Sequence, residues 1–192
     1  MTPLPPPLGT GELVAWRLDE ARFGPSWDGG EGSYRYGGRW NSPGVRAVYC
    51  SLDPACAILE LAAHKGFKAL DTVAHVVTAL TADPGRVHLV QPTAVPNPNW
   101  LHPGIPSAGQ QQFGDVLLAA HAFVVIPSAV STNSWNLIFV AAVADRAYVQ
   151  RSQEPFALDT RLHRPACGPL NSTPTPSAHA KRRRAKERSN IH

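Results

Sequence analysis

Cysteine is scarce in this chain, and long hydrophobic runs are absent from it. Among 192 residues there are three cysteines, too few for a disulfide framework and too irregularly spaced for a zinc site: Cys50, Cys56 and Cys167. No uninterrupted apolar run reaches the length of about 18 residues that a transmembrane helix needs. Residues 1–11 contain four prolines and neither a basic residue nor an apolar core, so no secretory signal peptide is expected. These features indicate a cytoplasmic protein with reduced thiols.

The common nucleotide-binding motifs are missing as well. The chain contains neither the glycine-rich loop that ends in Gly-Lys-Ser/Thr nor a Gly-x-Gly-x-x-Gly segment. The usual phosphate-loop and dinucleotide-binding folds therefore find no support in this sequence.

Basic charge is confined to one short segment. The formal net charge is +4 at pH 7, but residues 181–188 hold six basic residues and one acidic residue, which leaves 12 basic and 13 acidic residues elsewhere. A nucleic-acid-binding domain carries its positive charge on the folded body, so a globular nucleic-acid-binding face is not expected. We interpret the basic run as a solvated tail; weak, salt-sensitive binding of nucleic acid through it is the alternative.

Composition divides the chain into three parts. Proline accounts for 19 residues, about twice the usual share. We expect residues 1–10 to form a disordered proline-rich leader, because polyproline segments have little surface to bury. Residues 11–165 are expected to fold as one domain, since 43% of the chain is hydrophobic. Residues 166–192, rich in proline, serine, threonine and basic residues, are expected to be a disordered tail.

The predicted elements do not alternate regularly between strand and helix. Hydrophobic patterning predicts strands at residues 12–18, 45–51, 72–80, 86–90, 122–126, 135–144, 146–150 and 155–159. Helices are predicted at residues 54–65 and 110–121, and loops at residues 24–44 and 91–107. With the segments at 146–150 and 155–159 counted as short candidates, about seven strands and two helices predict an α+β fold, with a mixed β-sheet core and flanking helices.

The first helix has clear start and stop signals. Asp53 suits the N-cap, Pro54 suits the first helical position, and Gly66 suits the C-terminal end. Residues four apart lie on one side of a helix, so Cys56, Glu60 and His64 are expected to share a face.

Four polar features stand among apolar neighbours: Arg17 within a strand, the GGRWN segment at residues 37–41, Tyr49 at a strand end, and Glu60 on the helix. Arginine binds phosphate, glycine lets a ligand approach the backbone, aromatic rings stack, and a carboxylate stabilises an oxocarbenium-like transition state. The set suits an anionic, aromatic, nucleotide-like ligand. Each residue alone also has a structural interpretation: Arg17 as a rim salt bridge, Glu60 as a solvated helix residue, His64 as a residue near the helix end and Cys56 as a packing residue.

Several segments, in this order and spacing, resemble the RES-domain toxins of bacterial toxin–antitoxin pairs. The most specific is YGGRWNSPG at residues 36–44. The others are Trp16 and Arg17, Val48 and Tyr49, AILE at residues 57–60, IPSAV at 126–130, Asn136, and PFALDTRL at 155–162. The arginine, glutamate and serine that give the family its name correspond to Arg17, Glu60 and Ser128.

The resemblance implies a fold similar to the ADP-ribosyltransferases and makes residues 11–165 a RES-like catalytic domain. It implies an enzyme that consumes NAD as substrate, with no cofactor and no metal, by cleaving the bond between nicotinamide and ribose. The acceptor in the family is phosphate, water or a protein. A helix-turn-helix-type antitoxin is the implied partner; a homodimer stays open.

The resemblance also assigns roles to residues of this chain. Glu60, Arg17 and Ser128 are the predicted catalytic residues, with Glu60 stabilising the oxocarbenium charge and Ser128 acting as a hydrogen-bonding group rather than a nucleophile. The predicted substrate-binding residues are Arg17, Tyr36, Arg39, Trp40, Tyr49, His64 and Asn136. Cys56 is expected to line the pocket or to pack behind it.

One segment departs from the family pattern. Family members commonly carry Asn-Pro-Ala-His where this chain has Val-Ala-Ala-Val at residues 140–143, which we predict to be an apolar strand in place of a polar turn. Two alternatives stand beside an NAD-cleaving toxin, and the departure motivates the first of them. One is a relative that binds a nucleotide without cleaving it, and the other is a nucleic-acid-associated protein that acts through its basic tail.

Overall fold

A computed structural model describes residues 12–159, apart from positions 103 and 105. The strands, in chain order, are β1 (Leu13–Glu20), β2 (Ala47–Ser51), β3 (His75–Ala82), β4 (Val87–Leu89), β5 (Phe123–Pro127), β6 (Trp135–Val140) and β7 (Tyr148–Phe156). The α-helices are α1 (Glu31–Tyr36), α2 (Pro54–Lys65), α3 (Phe67–Thr72), α4 (Ala108–Ala120) and α5 (Ala141–Ala144). The predicted α+β fold is confirmed. None of the helices in the described region combines the length and hydropathy that a membrane crossing needs.

The strands form one mixed sheet in the order β4-β5-β6-β2-β1-β3-β7. Only β4 and β5 are parallel; every other neighbouring pair within the described residues is antiparallel. The pairing of β1 with β3 is continuous from Leu13 opposite Ala82 to Glu20 opposite His75. In contrast, β1 meets β2 at the single register pair Trp16–Ser51. The sheet thus consists of two well-paired parts joined at a narrow junction.

Both faces of the sheet are covered by apolar clusters, which explains why β5 is buried at every residue. Strand alternation assigns side chains to these faces. In β2, Val48 and Cys50 belong to one cluster, whereas Ala47 and Tyr49 contact the other. A third cluster holds α2 against β1 through Ala62 and Leu18.

Helix α2 begins and ends where its sequence signals predict. The Asp53 carboxylate accepts hydrogen bonds from the backbone N–H groups of Ala55 and Cys56, which satisfies donors that the first helical turn leaves unpaired. Gly66 follows the last turn with a φ of 77°, a conformation that glycine adopts without strain.

The prediction of a loop throughout residues 24–44 is wrong in part. A 3-10 helix spans Ala21–Ser26, and α1 follows within the glycine-rich segment. Glu31 in α1 forms ion pairs with Arg35 one turn later and with Arg46. These two ion pairs stabilise α1, a helix that the high glycine content of the segment makes hard to predict from the sequence.

Three strand predictions near the end of the domain are also wrong in part. The apolar run at 135–144 is a strand only as far as Val140, and the alanine-rich end forms the short helix α5, because alanine favours helix most strongly. Of residues 140–143, only Val140 belongs to the strand, and the other three are helical. The two short strands predicted at 146–150 and 155–159 are one strand, β7, in which Pro155 is tolerated because β7 lies at the sheet edge. The start of the strand predicted at 72–80 shifts to His75, because α3 precedes it.

Two histidine rings stack at the other edge of the sheet. His88 on β4 and His121 after α4 lie nearly parallel, with ring centroids 4.1 Å apart and an interplanar angle of 9°. Burial, and then the neighbouring His121, lower the pKa of His88 below its ordinary value of 6.5. The unfolded chain consequently binds this proton more tightly than the folded protein does.

Stability is therefore expected to fall as the pH decreases below the ordinary histidine pKa of about 6.5. Thermal unfolding at about pH 7.5 and about pH 5.5 measures the loss, which should be smaller in His121→Asn because the variant lacks the neighbouring group that helps to lower the pKa of His88. An identical loss in wild type and variant would show that the stacked pair does not contribute.

The predicted proline-rich leader and the predicted tail lie outside the described residues. Leu158, near the end of the described region, is buried in the same cluster as Leu18, so the folded body extends at least that far.

Candidate active site

The Glu60 carboxylate is the centre of a hydrogen-bonded cluster. Its Oε1 accepts hydrogen bonds from Ser128 Oγ at 2.9 Å and from Asn136 Nδ2 at 2.6 Å. Three elements supply these groups: α2 carries Glu60, Ser128 follows β5, and Asn136 lies near the start of β6. Because β5 and β6 are antiparallel neighbours with Ile126 opposite Asn136, their short connection brings both donors to the helix. No hydrogen bond from the described residues reaches Glu60 Oε2.

A buried layer fixes the orientation of Asn136. Its Oδ1 accepts a hydrogen bond from Ser51 Oγ at 2.8 Å and a weaker one from Cys56 Sγ at 3.8 Å. Asn136 and Ser51 are only 5% and 2% exposed. The amide nitrogen therefore faces the carboxylate. Burial raises the pKa of the Cys56 thiol, so Cys56 packs behind the cluster as a neutral thiol rather than a nucleophile.

Ser128 has the contacts of a positioning residue. Its hydroxyl donates to Glu60, and the same oxygen accepts from the backbone N–H groups of Val130 at 3.2 Å and Ser131 at 3.1 Å. A serine hydroxyl offers one donor and two acceptor positions, so its hydrogen-bonding capacity is used completely. This arrangement holds the carboxylate and leaves no lone pair for attack.

The Tyr49 hydroxyl anchors the loop at residues 38–41. It donates to Asn41 Oδ1 at 2.7 Å and accepts from the backbone N–H of Trp40 at 3.0 Å. Burial raises the pKa of Tyr49, which keeps the hydroxyl protonated and able to donate. A Cβ atom at Gly38 would lie 2.5 Å from the Tyr49 hydroxyl oxygen. Glycine at this position is thus a requirement of the anchor.

Arg39 extends from this loop as a half-buried cation. Its Nη1 donates to the backbone carbonyls of Trp100 at 2.7 Å and His102 at 3.3 Å. Among the described residues, no carboxylate lies within ion-pair distance of it. The Arg39 charge opposes the rise in the pKa of Tyr49, whereas the Glu60 and Asp115 carboxylates contribute to that rise. The charges of Arg39, Glu60 and Asp115 therefore all act on the Tyr49 hydroxyl.

Arg17 occupies a different environment. Its Nε and Nη2 donate to the two carboxylate oxygens of Asp19, both at 2.7 Å, and its Nη1 donates to the backbone carbonyl of Tyr49 at 2.9 Å. Trp16 and Ser51 are opposite each other and share a face of the sheet, so Arg17 projects to the other face, where Cys50 lies. Burial raises the pKa of Cys50 to about 12, and the nearby Arg17 cation opposes that rise.

The structure separates the other predicted substrate-binding residues from the Glu60 cluster. Tyr36, at the end of α1, is 81% exposed, and His64 is exposed on α2 one turn beyond Glu60. Neither forms a hydrogen bond with the cluster within the described region. Trp40 is only 2% exposed and packs beside Trp100 with ring centroids 5.9 Å apart. Its ring is part of the core, whereas its backbone N–H is part of the Tyr49 anchor.

Sequence reasoning missed several polar partners of these residues. Asp19 lies two positions after Arg17 on the same strand face, and Ser51 lies two positions after Tyr49, so strand alternation was a signal for both. Asn41 is fully buried and belongs to the YGGRWNSPG segment at residues 36–44, but the sequence predicts no role for it. Gln110, Gln111 and Asp115 on α4 contact the same loop, and nothing in the local sequence marks them.

Comparison with known proteins identifies the family. The family model of the RES domain matches residues 14–159 of the chain. The chain belongs to the RES domain family. The match covers nearly all of the described region, including Arg17, Glu60 and Ser128.

Two known proteins are similar to this chain, one in sequence and one in fold. The RES domain described here is 26% identical over 154 residues to the protein called Toxin Res from Photorhabdus laumondii subsp. laumondii, an alignment that covers 78% of this chain and 97% of that protein. Its fold is similar to that of a chain in the crystal structure of the M. tuberculosis MbcT–MbcA toxin–antitoxin complex. That match has a TM-score of 0.62 at 19% identity and covers 77% of this chain and 85% of the other. At this identity the likeness concerns the fold alone.

Proposed function

We propose that this RES domain is the toxin of a toxin–antitoxin pair and that it cleaves the nicotinamide–ribose bond of NAD. The observation that carries the proposal is the Glu60 carboxylate, which Ser128 and Asn136 hold through one oxygen while the other oxygen accepts no hydrogen bond from the described residues. Membership of the RES domain family and the name of the relative Toxin Res support the same function.

The chemistry requires stabilisation of positive charge. The bond between the nicotinamide nitrogen and the ribose anomeric carbon breaks, and its electron pair leaves with nicotinamide, which departs neutral. The anomeric carbon becomes oxocarbenium-like until water or phosphate attacks it and, in the case of water, releases a proton. No acid catalyst and no cofactor is needed, because the leaving group is already cationic in NAD. A fixed carboxylate near the anomeric carbon lowers the energy of this transition state.

Glu60 is suited to that role because its orientation is set before substrate binds. Two donors on Oε1 hold the carboxylate in place, and the buried Ser51–Asn136 contact holds one of these donors. Preorganised charge of this kind needs no rearrangement during the reaction. In the proposal, Oε2 faces the ribose.

Arg39 is the proposed anion-binding group, and Arg17 is a supporting residue on the other face of the sheet. Arg39 lacks an ion-pair partner among the described residues, so its charge is available to the diphosphate of NAD. In the proposal Arg17 acts on the site through the backbone: it pairs with Asp19 and holds the Tyr49 carbonyl from the other face of the sheet. Tyr49 frames the nicotinamide–ribose end, and the exposed Tyr36 and His64 contribute from the rim, His64 toward the acceptor.

An antitoxin is the proposed protein partner, acting in the cytoplasm. The fold similarity to a chain of the M. tuberculosis MbcT–MbcA complex supports a toxin that is paired with its inhibitor. The helix-turn-helix type of this antitoxin follows from the family resemblance.

The test is to incubate the purified protein with NAD and to follow nicotinamide release by chromatography, with and without inorganic phosphate. Nicotinamide accompanied by ADP-ribose indicates water as the acceptor, and a phosphorylated ADP-ribose indicates phosphate. Transfer to protein is measured with labelled NAD. Release no faster than that from heat-denatured protein would refute NAD cleavage and favour a binding-only relative.

Arg17→Lys is expected to reduce nicotinamide release by about tenfold or more, because lysine keeps the charge but cannot bind Asp19 with two parallel hydrogen bonds and also reach the Tyr49 carbonyl. The measurement is kcat and KM for NAD together with Tm. Arg151→Lys, which alters an exposed ion pair with Glu12, is the matched control and should leave the kinetics unchanged. Unchanged kinetics in Arg17→Lys would limit Arg17 to a structural ion pair.

A further inference from the structure

The first turns of α4 lie directly against the loop that carries Arg39. Gln111 Nε2 donates to the Gly38 carbonyl at 2.9 Å, and Gln110 Nε2 donates to the Arg39 carbonyl at 3.4 Å. These two carbonyls belong to the peptide groups on either side of the Arg39 Cα. The side-chain amides of α4 therefore restrain the Arg39 backbone from both sides.

Other contacts along α4 show that this packing is close. Asp115 Oδ1 accepts a hydrogen bond from the backbone N–H of Ser42 at 3.0 Å. At Gly114, a Cβ atom would lie 1.9 Å from the Trp40 carbonyl oxygen, so the helix backbone itself touches the loop. Positions 110, 111, 114 and 115 are spaced as one helix face. The loop is thus held by Tyr49 on one side and by α4 on the other.

We infer that Gln111 is a positioning residue for Arg39 in the NAD site, an inference that rests on the proposed function. Gln110 is only 1% exposed and is also held by Asn97, so it contributes to the core as well as to the loop. Gln111 is half-buried, and the Gly38 carbonyl is the one hydrogen-bond partner of its side chain among the described residues. Its effect on a ligand therefore passes through the loop to the Arg39 guanidinium.

The experiment compares Gln111→Ala with Gln112→Ala in steady-state cleavage of NAD. Gln112 is the next residue of α4, is exposed, and its side chain forms no hydrogen bond in the described region, so both variants make the same change at neighbouring helix positions. Loss of one neutral hydrogen bond predicts a KM about threefold to tenfold higher in Gln111→Ala, with kcat within about twofold of wild type. Gln112→Ala should match wild type in both parameters.

A double-mutant cycle separates positioning from a general loss of structure. If Gln111 acts through Arg39, then Gln111→Ala adds no further increase in KM when Arg39 is already alanine. Equal KM values in Gln111→Ala and wild type, or full additivity with Arg39→Ala, would overturn this inference alone. A wild-type protein that neither binds nor cleaves NAD would overturn the proposed function and this inference together.

Discussion

Glu60→Gln is expected to reduce nicotinamide release from NAD by about a hundredfold or more while the protein stays folded. The glutamine amide has nearly the same shape, and its oxygen can accept the hydrogen bonds from Ser128 and Asn136 that Oε1 accepts in the wild type. What disappears is the negative charge, and with it the stabilisation of the oxocarbenium-like transition state. The measurements are kcat for nicotinamide release and the Tm of each protein.

The control for this prediction is Glu154→Gln. Glu154 is exposed on β7 and takes part in no ion pair within the described residues, so its loss changes the net charge equally without touching the cluster. Its rate should equal that of wild type. If Glu60→Gln cleaved NAD at the wild-type rate, the carboxylate would have no part in the chemistry.

Gly114→Ala is expected to lower the free energy of unfolding by about 2 kcal/mol or more, a loss typical of forced overpacking. An alanine in a helix interior ordinarily stabilises relative to glycine, but here its methyl group would lie 1.9 Å from the Trp40 carbonyl oxygen. Backbone must move on one side of the contact, because neither partner is a flexible side chain. For a domain of this size the loss corresponds to a Tm lower by about 4–8 °C.

Gly109→Ala provides the matched comparison, since Gly109 is in the same helix and a methyl group added there would point into open space, with no packing neighbour within 4 Å. That change should leave Tm unchanged or raise it slightly, by the propensity difference of up to about 1 kcal/mol. A Gly114→Ala protein as stable as Gly109→Ala would mean that α4 moves away from the loop at no cost. Activity should also fall in Gly114→Ala, because the displaced loop carries Arg39.

The parts of the fold that sequence predicted well depend on short-range signals. Helix α2 is an example, since Asp53, Pro54 and Gly66 mark its ends within one segment. The strands with strong apolar patterns were also placed within a few residues. The errors arose where distant parts of the fold decided the outcome. Helix α1 forms in glycine-rich sequence because Glu31 pairs with Arg46, and β7 continues through Pro155 because, among the described residues, it pairs with β3 on one side only.

In the candidate site, too, short-range signals were predicted well and long-range contacts were not. Family resemblance selected Glu60, Ser128 and Asn136 individually, but their meeting depends on the register of β5 with β6 and on the packing of α2 against β1 and β2. The partner of Arg17 at Tyr49 is a backbone carbonyl 32 residues away, which no side-chain pattern can mark. The exposure of individual side chains could not be predicted either. Trp40 is in the core, whereas Tyr36, four residues earlier in the same motif, is at the surface.

The narrow junction between β1 and β2 has a mechanical consequence. Resistance of a sheet to bending between two strands depends on the backbone hydrogen bonds that cross the gap, and here a single register pair lies on that line. The Arg17 guanidinium bonds to the Tyr49 carbonyl beside that pair, so a side chain takes the place of a backbone rung. The β1–β2 junction is accordingly the place where the two parts of the sheet can most easily change their relative angle. The hydrogen bond from Arg17 to the Tyr49 carbonyl restrains that angle.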